Sequence, residues 1–159
     1  MRYICIIQAR TTSSRLPAKS LLPIAKMPLA ILVAKRAISN FHETWVITSK
    51  NESDDLLSSY LETSKIPYFR GELDNVLNRF CSLCLKLKAK PEDTIIRLTA
   101  DNPLVDDSFL ENMKIIWEKY NLDYLSAEPD NLMEYGWPKG LSAEFFRAES
   151  IYAINNNQT

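Results

Sequence analysis

Apolar residues in this chain fall in short continuous runs separated by amphipathic stretches, and the two patterns alternate. Tyr3-Ile4-Cys5-Ile6-Ile7 is uninterrupted, as in a strand covered on both faces of a parallel sheet. Thr44–Thr48, rich in β-branched residues, Ile66–Phe69 and Thr94–Leu98 predict further strands, the last apolar apart from Arg97. Pro28 suits the first turn of a helix whose stripe is Leu29, Leu32, Val33 and Ala37. Ser53 starts a second helix reaching about Ser64. A third, from about Asp74 to Lys88, places Leu77, Phe80, Cys81, Cys84 and Leu85 on one face. Asp106 starts a fourth, with the stripe Phe109, Met113, Ile116, Trp117 and Tyr120. Asp123–Ser126 and Ser142–Phe146 are shorter strands, separated by a loop with Pro129, Gly136, Pro138 and Gly140.

Strand–helix alternation at this spacing predicts an α/β fold, a mostly parallel sheet with helices on both faces. Ligands of such sheets sit at the carboxyl ends of the strands. The loops after the first strand (from Gln8) and the fourth strand (from Thr99) are therefore the places to look for chemistry.

Composition narrows the class. With 159 residues, 46% hydrophobic and 25% charged, the chain has ordinary globular make-up. Its net charge of -1 carries no nucleic-acid signature, but the charge is unevenly spread. Residues 1–42 hold Arg2, Arg10, Arg15, Lys19, Lys26, Lys35 and Arg36 and no acid, so the remainder is net acidic. Such an end is an anion site, a transit peptide or an accident of composition, and prolines at 17, 23 and 28 disfavour an amphipathic targeting helix. Leu21–Ala34 is too short and too interrupted to span a bilayer, so no membrane insertion is expected. Three cysteines without framework spacing suit a reducing, cytoplasmic setting. Cys81-x-x-Cys84 lies on an apolar helix face and reads as core packing.

The first candidate constellation runs from Gln8 through Ala9, Arg10, Ser14 and Arg15 to Lys19, placing three cations and four hydroxyls within a dozen residues. A triphosphate needs converging cations and hydrogen-bond donors; arginine suits bidentate phosphate contacts and lysine acts as a mobile point charge. Glycine is absent from this loop, and so is the spacing of a Walker motif. The second is Arg97–Asp106. Asp101 stands just past an apolar strand, ahead of Asn102-Pro103, where a carboxylate can hold magnesium against phosphate oxygens or cap a turn. Asp106 reads as a helix cap, and Glu52, Asp54 and Asp55 as acids complementing a helix dipole. Arg70 and Arg79 are open between reaching a nucleotide and pairing with nearby acids, and Trp137 between an acceptor pocket and a surface loop. His42, the lone histidine, reads as a surface residue.

Arg10-x-x-x-Ser14-Arg15-Leu16-Pro17-x-Lys19, followed by Leu22-Pro23 and Pro28-Leu29, resembles the N-terminal signature of sugar cytidylyltransferases. The resembling branch holds the spore coat polysaccharide biosynthesis protein F and is similar to 3-deoxy-manno-octulosonate and acylneuraminate cytidylyltransferases. Phe69-Arg70-Gly71-x-x-x-Asn75-Val76-Leu77-x-Arg79-Phe80, Asp101-x-Pro103-Leu104 and Gly140-Leu141-x-x-Glu144-x-Phe146 resemble later segments of that branch in the same order.

The resemblance implies a Rossmann-like nucleotide-diphospho-sugar transferase fold in one domain over residues 1–159, C-terminally truncated relative to the family. It implies magnesium-dependent transfer of CMP from CTP to the hydroxyl of an acidic or amino sugar for surface polysaccharide synthesis. The expected partners are CTP and a sugar acceptor, without nucleic acid, in a homodimer. It implies a nucleotide site of Gln8, Ala9, Arg10, Ser14, Arg15, Lys19, Arg70 and Arg79. Arg10, Arg15, Lys19 and Asp101 form the catalytic set, Asp101 ligates magnesium, and Asn102 and Glu144 face the acceptor. The chain departs from the family pattern with Ala18 where glycine is common and Ser142 where aspartate is usual. A glycosyltransferase of related fold and a non-catalytic nucleotide-binding module stay open. The first needs an acidic pair after the fourth strand, where Asn102 stands beside Asp101; Ser142 favours the second.

Overall fold

The computed structural model describes residues 1–13, 16–41, 43–127 and 140–156. Its strands and helices follow in chain order: β1 (Tyr3–Gln8), β2 (Pro23–Ile24), β3 (Met27–Pro28), α1 (Leu29–Ile38), β4 (Glu43–Ser49), α2 (Asp55–Thr63), β5 (Tyr68–Gly71), α3 (Val76–Lys86), β6 (Thr94–Thr99), α4 (Asp107–Tyr120), β7 (Tyr124–Ser126), β8 (Glu144–Arg147) and α5 (Ala148–Asn156). Short 3₁₀ turns at Lys19–Leu21 and Glu52–Asp54 lead into β2 and α2.

Six strands form one sheet in the order β5-β4-β1-β6-β8-β7. β1 pairs in parallel with β4 and β6, β4 in parallel with β5, and β8 runs antiparallel to both β6 and β7. The sheet is thus mixed but mostly parallel, as the alternation predicts. From β1 the chain winds outward to β4 and β5, then crosses back to β6 on the opposite side. That reversal opens a crevice between the carboxyl ends of β1 and β6.

The uninterrupted run in β1 is buried on both faces because helices cover both. Cys5 and Ile7 pack with Val33 of α1, Leu57 of α2, and Phe109, Leu110, Met113 and Trp117 of α4. Ile4 and Ile6 face the other way, with Phe80, Cys81, Leu83 and Cys84 of α3 and Ile151 of α5. Each such aliphatic side chain contributes about 1.5–3 kcal/mol by leaving water. Trp117 is buried with its indole N–H donating to Thr94 Oγ1 at 3.1 Å. Cys81 and Cys84 are both buried thiols in this core.

Three periodic positions are corrected. Leu85, Ile116 and Tyr120 are exposed, and Leu83 and Leu110 take core positions instead. In α3 the buried face is widened toward Leu83 because that helix also packs against α5, which the pattern of α3 alone does not reveal. Element boundaries shift by one or two residues: Ile66–Phe69 becomes Tyr68–Gly71, Ser142–Phe146 becomes Glu144–Arg147, and Asp55 rather than Ser53 opens α2. β2 and β3 form a hairpin that sequence reading missed, turning through Ala25 (φ 49°) and Lys26 (φ 66°). His42 and the segment with Pro129, Gly136, Trp137 and Pro138 lie outside the described residues.

Candidate active site

The loops after β1 and β6 leave adjacent strands, with Gln8 paired to Thr99. Ala100 N donates to Gln8 O at 3.0 Å, so the two exits are tied together before they diverge. Between them lies an open cleft of about 390 Å³, lined by Gln8, Ala9, Arg10 and Lys19 on one side and Thr99 and Asp101 on the other.

The loop after β1 is closed at its base by the main chain and one hydroxyl. Thr11 O accepts from Ser13 N at 2.9 Å and from Ala18 N at 2.8 Å, while Arg10 O accepts from Ser20 Oγ at 3.0 Å. Ala18 takes up the left-handed conformation (φ 54°, ψ 24°) that turns the chain into the 3₁₀ segment carrying Lys19. Left-handed geometry is disfavoured for a residue with a Cβ.

Lys19 Nζ reaches Asp101 Oδ2 at 2.9 Å, and Thr99 Oγ1 donates to Asp101 Oδ1 at 2.6 Å. Burial pushes the Asp101 carboxyl up, but the bonds from Thr99 and Lys19 and the Lys19 charge outweigh it, leaving its pKa below the usual value. Asp101 is therefore ionised at neutral pH. It is a single, half-exposed, hard oxygen donor, which suits magnesium, an ion that keeps several waters and shares phosphate oxygens. Among the described residues no group of three metal-ligating side chains converges. Asp101 is the carboxylate in the lining of the cleft that could hold a metal ion.

The remaining predicted residues are placed as follows. Ala9 is buried, its N–H donating to Ile47 O at 3.0 Å. Arg10 is exposed at the cleft. Ser14 and Arg15 lie outside the described residues. Asn102 Nδ2 donates to Thr99 Oγ1 at 2.9 Å and holds the turn that presents Asp101. Arg70 does not line the cleft; its guanidinium donates to Ser49 O at 2.8 Å, Asn51 O at 3.0 Å and Asp55 Oδ1 at 2.6 Å. Glu144 on β8 accepts from Arg97 Nη1 at 2.7 Å through both carboxylate oxygens, and Arg97 Nη2 reaches Gln8 Oε1 at 3.3 Å. A polar chain thus runs from β8 across β6 to the end of β1.

Arg79 is only 1% exposed. One guanidinium nitrogen donates to the carbonyls of Glu72 and Leu73, while Nε and Nη2 have no partner among the described residues. Its pKa is lowered, first by burial and then by the Arg10 charge. A buried cation with two unused donors is costly unless something else completes it. Gly71 makes room for it: a Cβ there would stand 2.7 Å from Arg79 Cγ.

Two residues of this site escaped the sequence reading. Arg97 carried a signal, a lone charge in an otherwise apolar strand. Asp54, which its sequence context marks as a helix-dipole acid, instead turns inward. It is fully buried and accepts from Thr11 N at 2.8 Å, Thr11 Oγ1 at 2.7 Å, Ser49 N at 3.0 Å and Ser49 Oγ. Burial raises its pKa, but the Ser49 and Thr11 hydrogen bonds more than offset this, and the net shift is downward.

A family model described as cytidylyltransferase matches residues 4–157. The spore coat polysaccharide biosynthesis protein SpsF of Bacillus subtilis (strain 168) is 39% identical over 163 residues, covering 96% of this chain and 62% of that protein. This chain thus spans less than two thirds of SpsF. Among solved structures, a cytidylyltransferase from Leptospira borgpetersenii serovar Hardjo-bovis (strain JB197) superposes with a TM-score of 0.83 at 23% identity, over 98% of this chain and 64% of that one. A CMP:2-keto-3-deoxy-manno-octonic acid synthetase complexed with CTP superposes with a TM-score of 0.74 at 18% identity, over 98% of this chain and 78% of that one. These neighbours share the Rossmann-like nucleotidyltransferase fold seen here.

Proposed function

The chain belongs to the cytidylyltransferase family, and from that premise we propose that its cleft carries magnesium-dependent transfer of CMP from CTP to a sugar hydroxyl. The observation that carries this reading is the meeting of a cation-rich loop and one ionised carboxylate at the crevice between β1 and β6. A triphosphate fits there because Arg10 and Lys19 face it from one side while Asp101 offers an oxygen ligand from the other. The likeness to a synthetase complexed with CTP supports the choice of nucleotide.

In this reading the sugar oxygen forms a bond to the α-phosphorus, the bond from that phosphorus to the β-phosphate bridge breaks, and pyrophosphate leaves as the hydroxyl proton is released. Charge builds on the transferring and leaving oxygens, so fixed cations matter more than a strong base. Arg10, Arg15 and Lys19 neutralise the triphosphate. Lys19 exchanges its contact with Asp101 for a phosphate oxygen, which frees the carboxylate as a metal ligand. Magnesium, when bound, screens the phosphate charge. The main chain of Gln8 and Ala9 faces the pyrimidine and ribose, while Arg79, buried behind Gly71 and outside the lining of the cleft, adds its positive charge beside Arg10 without touching the nucleotide. Glu144, fixed by Arg97, and Asn102 border the acceptor. Arg70, whose donors are engaged at the end of β4, stays outside the contact set. The acceptor class is an acidic or amino sugar destined for polysaccharide, in keeping with the name of SpsF.

Incubation with labelled CTP, magnesium and a panel of sugar acids and amino sugars tests the proposal. The expected result is a CMP-sugar and pyrophosphate in equal amounts. Nucleotide binding with no pyrophosphate released for any acceptor would instead support the binding-module reading.

A further inference from the structure

Asp54 does not line the cleft, yet four hydrogen bonds converge on its carboxylate beside the loop that does. We propose that Asp54 is a positioning residue that locks the base of the anion-binding loop to the end of β4, so that Lys19 is held facing Asp101. This rests on the nucleotide site described under the proposed function.

The geometry is specific. One carboxylate oxygen takes both the N–H and the hydroxyl of Thr11, and the other takes both the N–H and the hydroxyl of Ser49. Thr11 Oγ1 also lies 2.7 Å from Ser53 O; its single proton serves one acceptor at a time, and the charged Asp54 oxygen is the stronger of the two. Thr11 is in turn the residue on which the loop closes, because its carbonyl accepts from Ser13 and Ala18. Ala18 immediately precedes Lys19. A continuous path of hydrogen bonds therefore runs from Ser49 through Asp54 and Thr11 to the residue before Lys19. Among the described residues, this fully buried carboxylate takes four donors and no lysine or arginine is bonded to it. Charge-assisted bonds of this type are roughly twice as strong as neutral ones, and they hold closed a loop whose like charges repel one another.

The test is calorimetric titration of MgCTP into the full chain and its Thr11→Val, Thr11→Ser, Asp54→Asn and Lys19→Ala variants. Thr11→Val removes one charge-assisted bond and is expected to weaken binding about ten-fold, whereas Thr11→Ser keeps both bonds and binds as the unsubstituted chain does. Asp54→Asn keeps one accepting oxygen but sets an amide NH2 against the N–H of either Ser49 or Thr11, and is expected to weaken binding at least as much. The decisive readout is the double variant. If Asp54 and Thr11 act by placing Lys19, Thr11→Val adds nothing once Lys19→Ala is present.

Equal losses from Thr11→Val with and without the Lys19→Ala substitution, or unchanged affinity in Thr11→Val alone, would overturn the assignment. Should Asp54→Asn fail to fold, the Thr11 series decides. Absence of nucleotide binding by the unsubstituted chain would overturn the functional reading itself, and this inference with it. Binding by that chain with no effect of Thr11→Val overturns only the positioning role.

Discussion

Lys19 Nζ stands 2.9 Å from Asp101 Oδ2, although the two residues are 82 positions apart and follow adjacent strands of the sheet. The contact joins two loops that border the cleft on opposite sides of the β1–β6 crevice. Both partners are half-exposed, so their mutual attraction is screened and adds little to stability. In the proposed reading the pair serves ligand binding: the cation and the carboxylate satisfy each other until a phosphate engages Lys19 and a metal engages Asp101.

Lys19→Ala is therefore expected to leave thermal stability nearly unchanged while weakening CTP binding about ten-fold or more, through loss of a charge-assisted phosphate contact. Asp101→Asn is expected to keep the fold and to abolish the magnesium dependence of binding. In EDTA the Asp101→Asn variant should bind CTP no more weakly than the unsubstituted chain, because Lys19 is released. Calorimetry with and without magnesium, beside a thermal melt, checks both. An equal loss for Asp101→Asn under the two conditions would contradict its role as a ligand.

Arg79 gives a stability–function separation. Replacing it with Met removes a buried, incompletely partnered cation, so the stability of the free protein should change by no more than about 1 kcal/mol. CTP binding should fall by less than it does in Lys19→Ala, because only a buried positive charge beside Arg10 is lost. Gly71→Ala should weaken both stability and binding, since the added methyl meets Arg79 Cγ at 2.7 Å. Chemical denaturation and titration of the same preparations measure the two effects together.

Ala18 sits at φ 54°. Ala18→Gly removes roughly 1–2 kcal/mol of left-handed strain, part of which the greater freedom of glycine in the unfolded chain takes back. A net gain of about 0.5–1 kcal/mol in denaturant unfolding is expected. A loss would mean that the alanine methyl packs favourably enough to outweigh its backbone conformation.

The hydrogen bonds on Asp54 place its carboxyl below the ordinary value of 3.8. A group whose folded pKa is depressed contributes stability above its unfolded pKa and loses it as pH falls through the folded one. The stability gap between the unsubstituted chain and Asp54→Asn is thus expected to be constant near neutrality and to narrow as pH falls below 3.8. Urea unfolding at a series of pH values measures it. A gap that widens in acid would contradict the bonding seen here.

The parts of this molecule legible in sequence are those whose signal is local. β1 is a continuous apolar run and β6 is one apart from Arg97 because both faces are covered, and a parallel sheet puts its ligands at their carboxyl ends, so Arg10, Lys19 and Asp101 can be placed at one crevice from sequence. Asp106 is legible as a cap, and its carboxylate does accept from Phe109 N at 2.9 Å. What escapes depends on distant partners. Asp54 reads as a helix-start acid until Thr11, 43 positions away, folds onto it. The β2–β3 hairpin turns through Ala25 and Lys26, which carry none of the Asn-Gly chemistry that announces such a turn. Arg70 and Arg79 look alike in sequence, but one ends bonded to Asp55 and the other is sealed beneath Gly71 with donors to spare.

The measurement closest to the central claim is calorimetric titration of the chain with CTP, UTP, ATP and GTP, each in magnesium and in EDTA. One CTP site per chain is expected, clearly tighter than for the other three nucleotides and dependent on magnesium. No binding of any nucleotide, or equal binding of all four regardless of the metal, would contradict the account of this cleft as a CTP site built on Lys19 and Asp101.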